Sequence, residues 1–449
     1  MSGENSPSVA VVVLDTLRAD AFEEHFEWVP GVRYDNAWST SHWTVPAHAS
    51  LFTGRYGSEV GVHGKSKNLD CPDATLAERL QDAGWTTRGY SNNVHVSQWF
   101  DFDRGFEEFH HDSFSDDADF NWAEFIFEHR GDGASRYLDL LRQIRESDAP
   151  VLPTLWQGAC IKLKDFGVLP KTDDETGIEA VTDWAESIAW NEHEFLFVNL
   201  MEVHGPYEAP ESYRTVEPTQ QDGIWSVVTG EQDADADHLR AAYSDCARYL
   251  SDSYHDLYPQ LAEAFDVVIT LADHGEAFGE YGGWEHTPGL WPAVTHVPLV
   301  VDVTGDAPTP IETECPVSLM DVHETVCAYT GIKTGRETHG RSLLGDHFDA
   351  DYHLLETHGM LEKALVRLRN ENVSEQTLNA FDVELHAIAG QDGYSFETYT
   401  DGIVDHNGGV SDAASVIEQL AADLEARDVE GSSDVPDRVE ENLKDLGYV

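Results

Sequence analysis

A hydroxyl residue opens a short segment whose two ends carry helix signals. Thr44 lies just before Pro46, which suits the first turn of a helix, and Gly54 suits the stop after the last turn. Backbone amides and the positive end of the helix dipole stabilise negative charge at such a start. Thr44 is therefore placed where a nucleophilic oxygen and a bound oxyanion can meet.

Carboxylates and an imidazole follow two apolar runs that predict buried strands. Asp15 directly follows the first run, and Asp273 and His274 follow a later one in the segment Asp-His-Gly-Glu. Taken singly, each aspartate could instead cap a helix after its strand. Together with the oxygen of Thr44, they make a ligand set for one divalent cation. Such a cation would lower the pKa of the Thr44 hydroxyl and neutralise charge on a phosphoryl or sulfuryl oxygen.

The segment around Thr44 resembles the signature of the sulfatase family, part of the alkaline phosphatase superfamily. That signature reads Cys-x-Pro-Ser-Arg, followed a few residues later by Thr-Gly-Arg. Pro46 and the run Thr-Gly-Arg at 53–55 match it. Thr44 stands at the position of the cysteine, and Ala47 and His48 stand at those of Ser-Arg. The resemblance extends over most of the chain, and it implies an enzyme that cleaves sulfuric or phosphoric esters.

The resemblance also implies one divalent metal ion. The family carries its ligands after the first strand and in an Asp-(His/Asn)-Gly-Glu segment, which here are Asp15, Asp273 and His274, joined by Thr44. Many members have a second Asp beside the first, and this chain has Thr16 there. Ca²⁺ is the usual ion of the family, while a histidine ligand also suits Mn²⁺ or Zn²⁺.

Three further residues receive roles from the same resemblance. His204 lies in an Asn-Leu-x-x-x-His-x-Pro-Tyr segment, whose histidine contacts the transferred group and can protonate the leaving oxygen. His286 stands near the position of a family lysine and could act as an oxyanion contact or a general acid. Asn93, which its spacing to Arg-Gly-Phe favours over Asn92, is expected to bind a non-bridging oxygen. A structural histidine and a turn asparagine are the plainer alternatives.

The threonine at position 44 changes the reaction that the resemblance implies. Sulfatases oxidise their motif cysteine, or sometimes serine, to formylglycine, and threonine cannot follow that route. An ester on Thr44 would be released by water or another acceptor attacking phosphorus or sulfur. We therefore expect a hydrolase or transferase that cleaves a phosphate diester or alkyl monoester of a small molecule, glycan or lipid headgroup. The alternatives are a sulfuric ester hydrolase that uses unmodified Thr44, and a non-catalytic binding protein on the same fold.

The elements that must position these residues alternate between strands and helices. Apolar runs at 9–14, 195–200, 265–271 and 297–303 predict buried parallel strands, and the stretch 76–83 predicts an amphipathic helix. Together with the resemblance, this alternation predicts an alkaline-phosphatase-like α/β fold with a doubly wound, mostly parallel sheet. Ligands of such sheets bind beyond the carboxyl ends of the strands, where the candidate residues stand.

Changes of pattern along the chain predict its domain organisation. Residues 110–183 mix acidic and aromatic residues, which indicates an insertion or cap over the site. After about residue 348 the segments become shorter and alternate, and they end in an acidic helical tail. We predict a catalytic domain at 1–347 and a smaller C-terminal α+β subdomain at 348–449.

The charge of the chain is strongly acidic. It has 84 acidic residues against 27 basic ones, which gives a net charge of −57. Self-repulsion at this density destabilises a compact fold in dilute buffer, whereas in molar salt the screening length falls to about 3 Å. The composition predicts a salt-adapted protein of haloarchaeal type, and it argues against nucleic-acid binding, which needs a basic stripe.

The remaining features predict a cytoplasmic location. The 5 cysteines lie far apart without a CxxC pair, which favours reduced thiols over a disulfide framework or a zinc site. The N-terminus lacks the basic and apolar regions of a signal peptide. No run of about 18 apolar residues predicts a membrane span.

Overall fold

The computed structural model describes residues 8–111, 177–232, 235–305, 307–333, 338–345 and 351–429. The strands, in chain order, are β1 Val9–Leu14, β2 Val32–Arg33, β3 Ala37–Trp38, β4 Thr86–Ser91, β5 Glu108–His111, β6 Glu194–Leu200, β7 Val267–Leu271, β8 Ala277–Phe278, β9 Trp284–Glu285, β10 Leu299–Val303, β11 Val317–Ser318, β12 Tyr352–His358, β13 Glu384–Gly390, β14 Tyr394–Thr398 and β15 Gly402–His406.

The helices connect these strands and cover the sheets. They are α1 Ala19–His25, α2 Thr44–Thr53, α3 Gly57–Val60, α4 Leu76–Asp82, α5 Ile178–Ser187, α6 Gly223–Thr229, α7 Ala236–Ala264, α8 Pro292–Thr295, α9 Leu319–Thr330, α10 Glu362–Asn370, α11 Glu375–Phe381 and α12 Ala413–Ala422. The predicted helix at 76–83 is confirmed as α4, which the side chain of Thr75 caps by accepting a hydrogen bond from Glu78 N.

A seven-stranded sheet forms the centre of the molecule, in the order β2-β10-β7-β1-β6-β4-β5. Strand β1 is apolar throughout and fully buried, as expected for a central strand, and it pairs in parallel with β6 on one side and β7 on the other. Strands β4 and β5 continue the parallel part of the sheet. The predicted α/β fold with a mostly parallel sheet is confirmed.

One strand runs against the prediction. The apolar run at 297–303 was expected to be parallel, but its strand β10 pairs antiparallel to β7, with Leu299 opposite Leu271. A parallel strand would need a long crossover, usually a helix, to carry the chain back. Between β7 and β10 the chain forms the short antiparallel pair β8–β9 and the single turn of α8 instead of a crossover helix. It therefore folds back, and the strand direction reverses.

A second, four-stranded antiparallel sheet follows in the chain, in the order β12-β13-β14-β15. Helix α12 packs against β12 and β13. This sheet and its helices form the C-terminal α+β part of the fold, and the domain boundary near residue 348 stays a prediction. Most of the cap proposed at 110–183, from 112 to 176, lies outside the described residues, as does the tail after 429.

The register of the parallel strands brings their carboxyl ends to one edge of the sheet. Leu14 at the end of β1 pairs with Leu200 at the end of β6, and Val13 pairs with Leu271 at the end of β7. Because the chain leaves each strand at this edge, the residues that follow converge there. Among the residues described, no helix combines the length and the apolar character that a membrane crossing requires.

Candidate active site

Helix α2 holds Thr44 at its first residue, as the sequence predicted. Trp43 before it is extended, with φ −154°, and Pro46 lies in the first turn, where no intrahelical donor is lost. The helix ends at Gly54, whose φ of 71° is left-handed and whose N–H donates to the carbonyl of Ser50. Every residue of α2 is buried, so the position of Thr44 is fixed by packing along the whole helix.

Asp15, Asp273 and His274 form one buried cluster beside Thr44. One ligand atom from each of the three lies within 4.8 Å of the others. The hydroxyl oxygen of Thr44 lies 3.1 Å from Nε2 of His274. The same nitrogen lies 3.5 Å from Oδ2 of Asp273 and 3.8 Å from Oδ1 of Asp15. The structure thus brings together the four residues that the sequence selected as metal ligands.

The donor atoms of this cluster fit a divalent cation. Nδ1 of His274 is 2.9 Å from the carbonyl oxygen of Gly275, which can only accept, so Nδ1 carries the proton and Nε2 keeps its lone pair. Oδ2 of Asp273 is buried and accepts no hydrogen bond from the described residues. Within these residues, neither carboxylate forms an ion pair with Lys or Arg. Two buried carboxylates without a cationic side chain are costly unless a cation balances them.

The surroundings of the two carboxylates shift their pKa values in opposite directions. Burial and the nearby charge of Asp15 raise the pKa of Asp273 to about 8. Burial also raises the pKa of Asp15, but His274, His204 and the hydrogen bond from Asn93 outweigh it and hold this pKa below its usual value. Charge repulsion between the two aspartates is the interaction that a bound cation would relieve.

Thr16, the residue after Asp15, serves the two carboxylates as a donor. Its φ of 66° lies in the left-handed region, which is uncommon for threonine. In this conformation its hydroxyl donates to Oδ1 of Asp15 at 2.8 Å, and its N–H donates to Oδ1 of Asp273 at 3.2 Å. Tyr243 donates to the carbonyl of Thr16 at 2.9 Å and helps to hold this turn.

His204 and His286 stand next to the cluster. The ring of His286 lies 4.8 Å from that of His274 and 5.0 Å from that of His204. Nδ1 of His204 is 2.8 Å from the carbonyl of Gly205, and Nδ1 of His286 is 3.2 Å from Oε1 of Glu276. Burial and neighbouring imidazoles lower the pKa of His204 to about 4 and that of His286 to about 3. Burial raises the pKa of Glu276 to about 7.

Asn93, and not Asn92, points its side chain at the cluster. Nδ2 of Asn93 donates to Oδ2 of Asp15 at 2.7 Å and lies 3.4 Å from the hydroxyl oxygen of Thr44. Its Oδ1 accepts a hydrogen bond from His95 N at 2.9 Å, which fixes the orientation of the amide. The side chain of Asn92 makes no hydrogen bond to the residues described. All seven residues predicted for the site are therefore contiguous.

Sequence reasoning assigned no role to three residues that complete this environment: His48, Asn199 and Glu276. His48 follows Thr44 by four residues, so the helical repeat already places both side chains on one face. Asn199 interrupts the apolar run of β6, and a polar residue in a fully buried strand is an available signal. Glu276 belongs to the Asp-His-Gly-Glu segment itself.

Comparison with known proteins shows which family and which solved structures this chain is similar to. A family model described as Sulfatase matches residues 16–332. Over 343 residues the chain is 22% identical to the protein named "Uncharacterized sulfatase YidJ" of Escherichia coli (strain K12), and this match covers 70% of the chain. It spans 63% of the length of that relative.

Solved structures with similar folds include two hydrolases and a sulfatase. The phosphonate monoester hydrolase of Agrobacterium radiobacter has a TM-score of 0.59 at 16% identity, covering 93% of this chain and 94% of that one. The phosphonate monoester hydrolase from Silicibacter pomeroyi has a TM-score of 0.60 at 16% identity, covering 98% and 96%. A protein described as a 2-O GAG sulfatase has a TM-score of 0.58 at 14% identity, covering 98% and 94%. The family match spans more than half of the chain, and the chain belongs to the sulfatase family.

Proposed function

We propose that the protein is a metal-dependent hydrolase or transferase that cleaves a phosphate ester, a diester or an alkyl monoester, through Thr44. The observation that carries this proposal is the contact of 3.1 Å between the Thr44 hydroxyl and Nε2 of His274, inside a buried cluster with Asp15 and Asp273. A threonine cannot become formylglycine, so its own oxygen must attack. Attack by a hydroxyl at phosphorus gives an ester that water or an alcohol can release at the same atom.

Asp15, Asp273, His274 and Thr44 would hold the metal ion. When bound, the ion supplies positive charge that favours the ionised Thr44 oxygen and balances the charge of the phosphoryl group. The donor set of two carboxylates, one imidazole and one hydroxyl suits Mn²⁺ or Zn²⁺ as well as Ca²⁺. The start of α2 adds the positive end of its helix dipole at the same place.

In the first step, the Thr44 oxygen forms a bond to phosphorus and its proton passes to solvent. The bond from phosphorus to the leaving oxygen breaks, and that oxygen takes a proton from His204 or His286. Nδ1 of His204 donates to the carbonyl of Gly205, so His204 can give a proton from Nε2 only after becoming cationic. The same holds for His286 when its Nδ1 donates to Glu276. Burial disfavours that state, whereas an anionic ester beside the rings favours it, so proton transfer is coupled to substrate binding.

In the second step, water or an alcohol attacks the phosphorus of the phosphothreonine. The attacking oxygen gives its proton to the same imidazole, and Thr44 leaves with a proton from solvent. Asn93 donates toward both Asp15 and Thr44, and we assign its amide to a non-bridging oxygen of the transferred group. His204 and His286 would also contact that group.

The acidic composition supports a proposal about the environment of the protein. With a net charge of −57, we place it in the salt-rich cytoplasm of a haloarchaeal type of cell. The substrate is proposed to be a small-molecule, glycan or lipid-headgroup ester. Under this proposal, activity requires molar salt, and assays in dilute buffer would underestimate it.

The test is turnover of three aryl esters by the full chain in molar KCl, with Mn²⁺, Ca²⁺ or Zn²⁺ added separately. An aryl phosphodiester, an aryl phosphate monoester and an aryl sulfate differ only in the transferred group. We expect metal-dependent cleavage of a phosphate ester, faster than that of the sulfate. Dominant cleavage of the aryl sulfate would overturn the phosphoryl assignment in favour of a sulfuric ester hydrolase. Metal binding without cleavage of any ester would favour a binding protein.

A further inference from the structure

His48 lies one helical turn after Thr44 and has no exposed surface. Its ring meets the rings of Phe52 and Phe197 edge to face, with centroids 6.3 Å and 5.7 Å away and planes at 89° in both cases. Aromatic contacts on two sides leave the imidazole little rotational freedom. The direction of its two nitrogens is therefore set by packing.

Each ring nitrogen of His48 contacts a residue that belongs to the candidate metal cluster or bonds to it. Nδ1 is 2.9 Å from the carbonyl oxygen of Thr44, so this nitrogen carries the proton and donates. The same nitrogen lies 3.5 Å from Oδ2 of Asp273, the buried carboxylate oxygen that accepts no hydrogen bond from the described residues. Nε2 accepts from Nδ2 of Asn199 at 3.4 Å, and that amide also donates to Oδ2 of Asp15 at 3.2 Å.

Three separate elements meet at this one imidazole. Thr44 begins α2, and Asp273 follows β7. Asn199 lies on β6 and donates to Asp15, the residue after β1. The N–H of His48 points between the nucleophile's own carbonyl and Asp273. A donor at this point fixes the backbone of Thr44. It also attracts Oδ2 of Asp273, which lies 3.5 Å from Nε2 of His274.

We propose that His48 is a positioning residue, whose Nδ1–H sets Thr44 and Asp273 in the geometry that the metal ion and the transferred group require. The inference rests on the proposed function for its metal centre. It assigns to His48 no contact with the substrate and no transfer of a proton. Loss of the Nδ1 donor should therefore weaken metal binding and lower kcat, while KM changes less.

Two amide substitutions separate the two ring nitrogens. The side-chain nitrogen of His48→Asn can occupy the place of Nδ1, whereas that of His48→Gln reaches toward the place of Nε2. His48→Leu keeps an apolar side chain of similar size and removes both nitrogens. His323 offers a matched control, because it is a buried histidine whose Nδ1 also lies against a carbonyl of α2, that of Leu51 at 3.2 Å.

The measurement is the dissociation constant of Mn²⁺ from the full chain in molar KCl, by isothermal titration calorimetry. We expect about a threefold weakening in His48→Asn, the cost of part of one hydrogen bond. His48→Gln and His48→Leu should weaken Mn²⁺ binding by about 10–100-fold. His323→Leu should leave the dissociation constant unchanged. Turnover of the aryl phosphodiester should show kcat falling in the same order as metal affinity.

The inference would be overturned if all three His48 variants bound Mn²⁺ as tightly as wild type. It would also be overturned if all three lost the same amount of Mn²⁺ affinity. Thermal unfolding of the metal-free variants establishes that each is folded, and the Asn and Gln pair decides the question if His48→Leu does not fold. A wild type that binds no Mn²⁺ would overturn both the metal centre and this inference. The expected order of affinities without cleavage of any ester would overturn the proposed function and leave the role of His48 in metal binding supported.

Discussion

The hydroxyl oxygen of Thr44 and Nε2 of His274 lie 3.1 Å apart although 230 residues separate them in the chain. The first is presented by the start of a buried helix, and the second follows the end of the buried strand β7. Because Nδ1 of His274 donates to the carbonyl of Gly275, the lone pair of Nε2 faces the threonine. The proposed nucleophile and a proposed metal ligand are thus held together before any substrate binds, an arrangement that would limit the reorganisation needed for reaction.

The amide of Asn93 is expected to matter where that of Asn92 does not. Asn93→Ala removes the donor to Asp15 and Thr44, and we predict a fall in kcat/KM of about 100-fold on the preferred aryl ester. Asn92→Ala removes a side chain without hydrogen bonds to the described residues, and its effect should stay within about twofold. Equal effects of the two substitutions on kcat/KM would contradict the assignment of Asn93 to the site.

Metal binding should stabilise the fold as well as support the reaction. Mn²⁺ at 100 times its dissociation constant should raise the free energy of unfolding by about 2.7 kcal/mol, because the unfolded chain lacks the assembled site. Asp273→Asn should abolish this increment. Asp321→Asn removes another fully buried carboxylate, which accepts from the N–H of the N-cap residue Ser318, and should lower stability while keeping the Mn²⁺ increment. Urea unfolding with Mn²⁺ and with EDTA measures the stability and the Mn²⁺ increment of each variant. An increment that survives Asp273→Asn would contradict the ligand assignment.

Stability should rise with salt over a wide range. The net charge of −57 makes the folded state self-repulsive, and screening lengths shorten from about 10 Å at 0.1 M to about 3 Å at 1 M. We predict that the midpoint of urea unfolding increases continuously between 0.1 M and 3 M KCl. Sucrose at matched concentrations controls for stabilisation that does not depend on charge. A midpoint that KCl raises no more than sucrose does would contradict the salt-adapted assignment.

His386 on β13 predicts that the stability of the fold depends on pH. Burial lowers the pKa of His386, but hydrogen bonds to Glu384 and Glu397 outweigh it and raise this pKa to about 9. The folded state therefore holds the proton more tightly than the unfolded chain, where the pKa is about 6.5. The resulting stabilisation is complete below pH 6.5 and is lost as the pH rises through 9.

The measurement is the difference in free energy of unfolding between wild type and His386→Gln, by urea titration from pH 6 to pH 10. We expect a difference on the order of 2 kcal/mol at low pH, shrinking across this range. Glutamine keeps a hydrogen-bonding side chain without the titration. A difference that does not change with pH would show that His386 contributes by packing alone.

Much of the site could be predicted because its residues stand at the ends of recognisable elements. Asp15 and Asp273 follow apolar strands that are buried on both faces, and Pro46 and Gly54 mark the ends of α2. Parallel strands direct the residues after them to one edge, so proximity in space followed from order in the chain.

What the sequence did not show depends on tertiary contacts. The direction of β10 follows from a connection that lacks a crossover helix, and the apolar pattern of a strand is the same in either direction. His48 could equally have been an ordinary core histidine, and its place between Thr44 and Asp273 appears only when α2 meets β7. The left-handed turn at Thr16, which aims both of its donors at carboxylates, has no local signal.

The central claim is that Thr44 is the nucleophile, and the most direct test compares Thr44→Ala with Thr44→Ser. The measurement is kcat/KM for the aryl phosphodiester in molar KCl with saturating metal ion. We predict that Thr44→Ala loses at least about 1000-fold, whereas Thr44→Ser, which keeps the hydroxyl, retains most of the activity. A Thr44→Ala protein that cleaves the diester at a rate close to wild type would contradict the account.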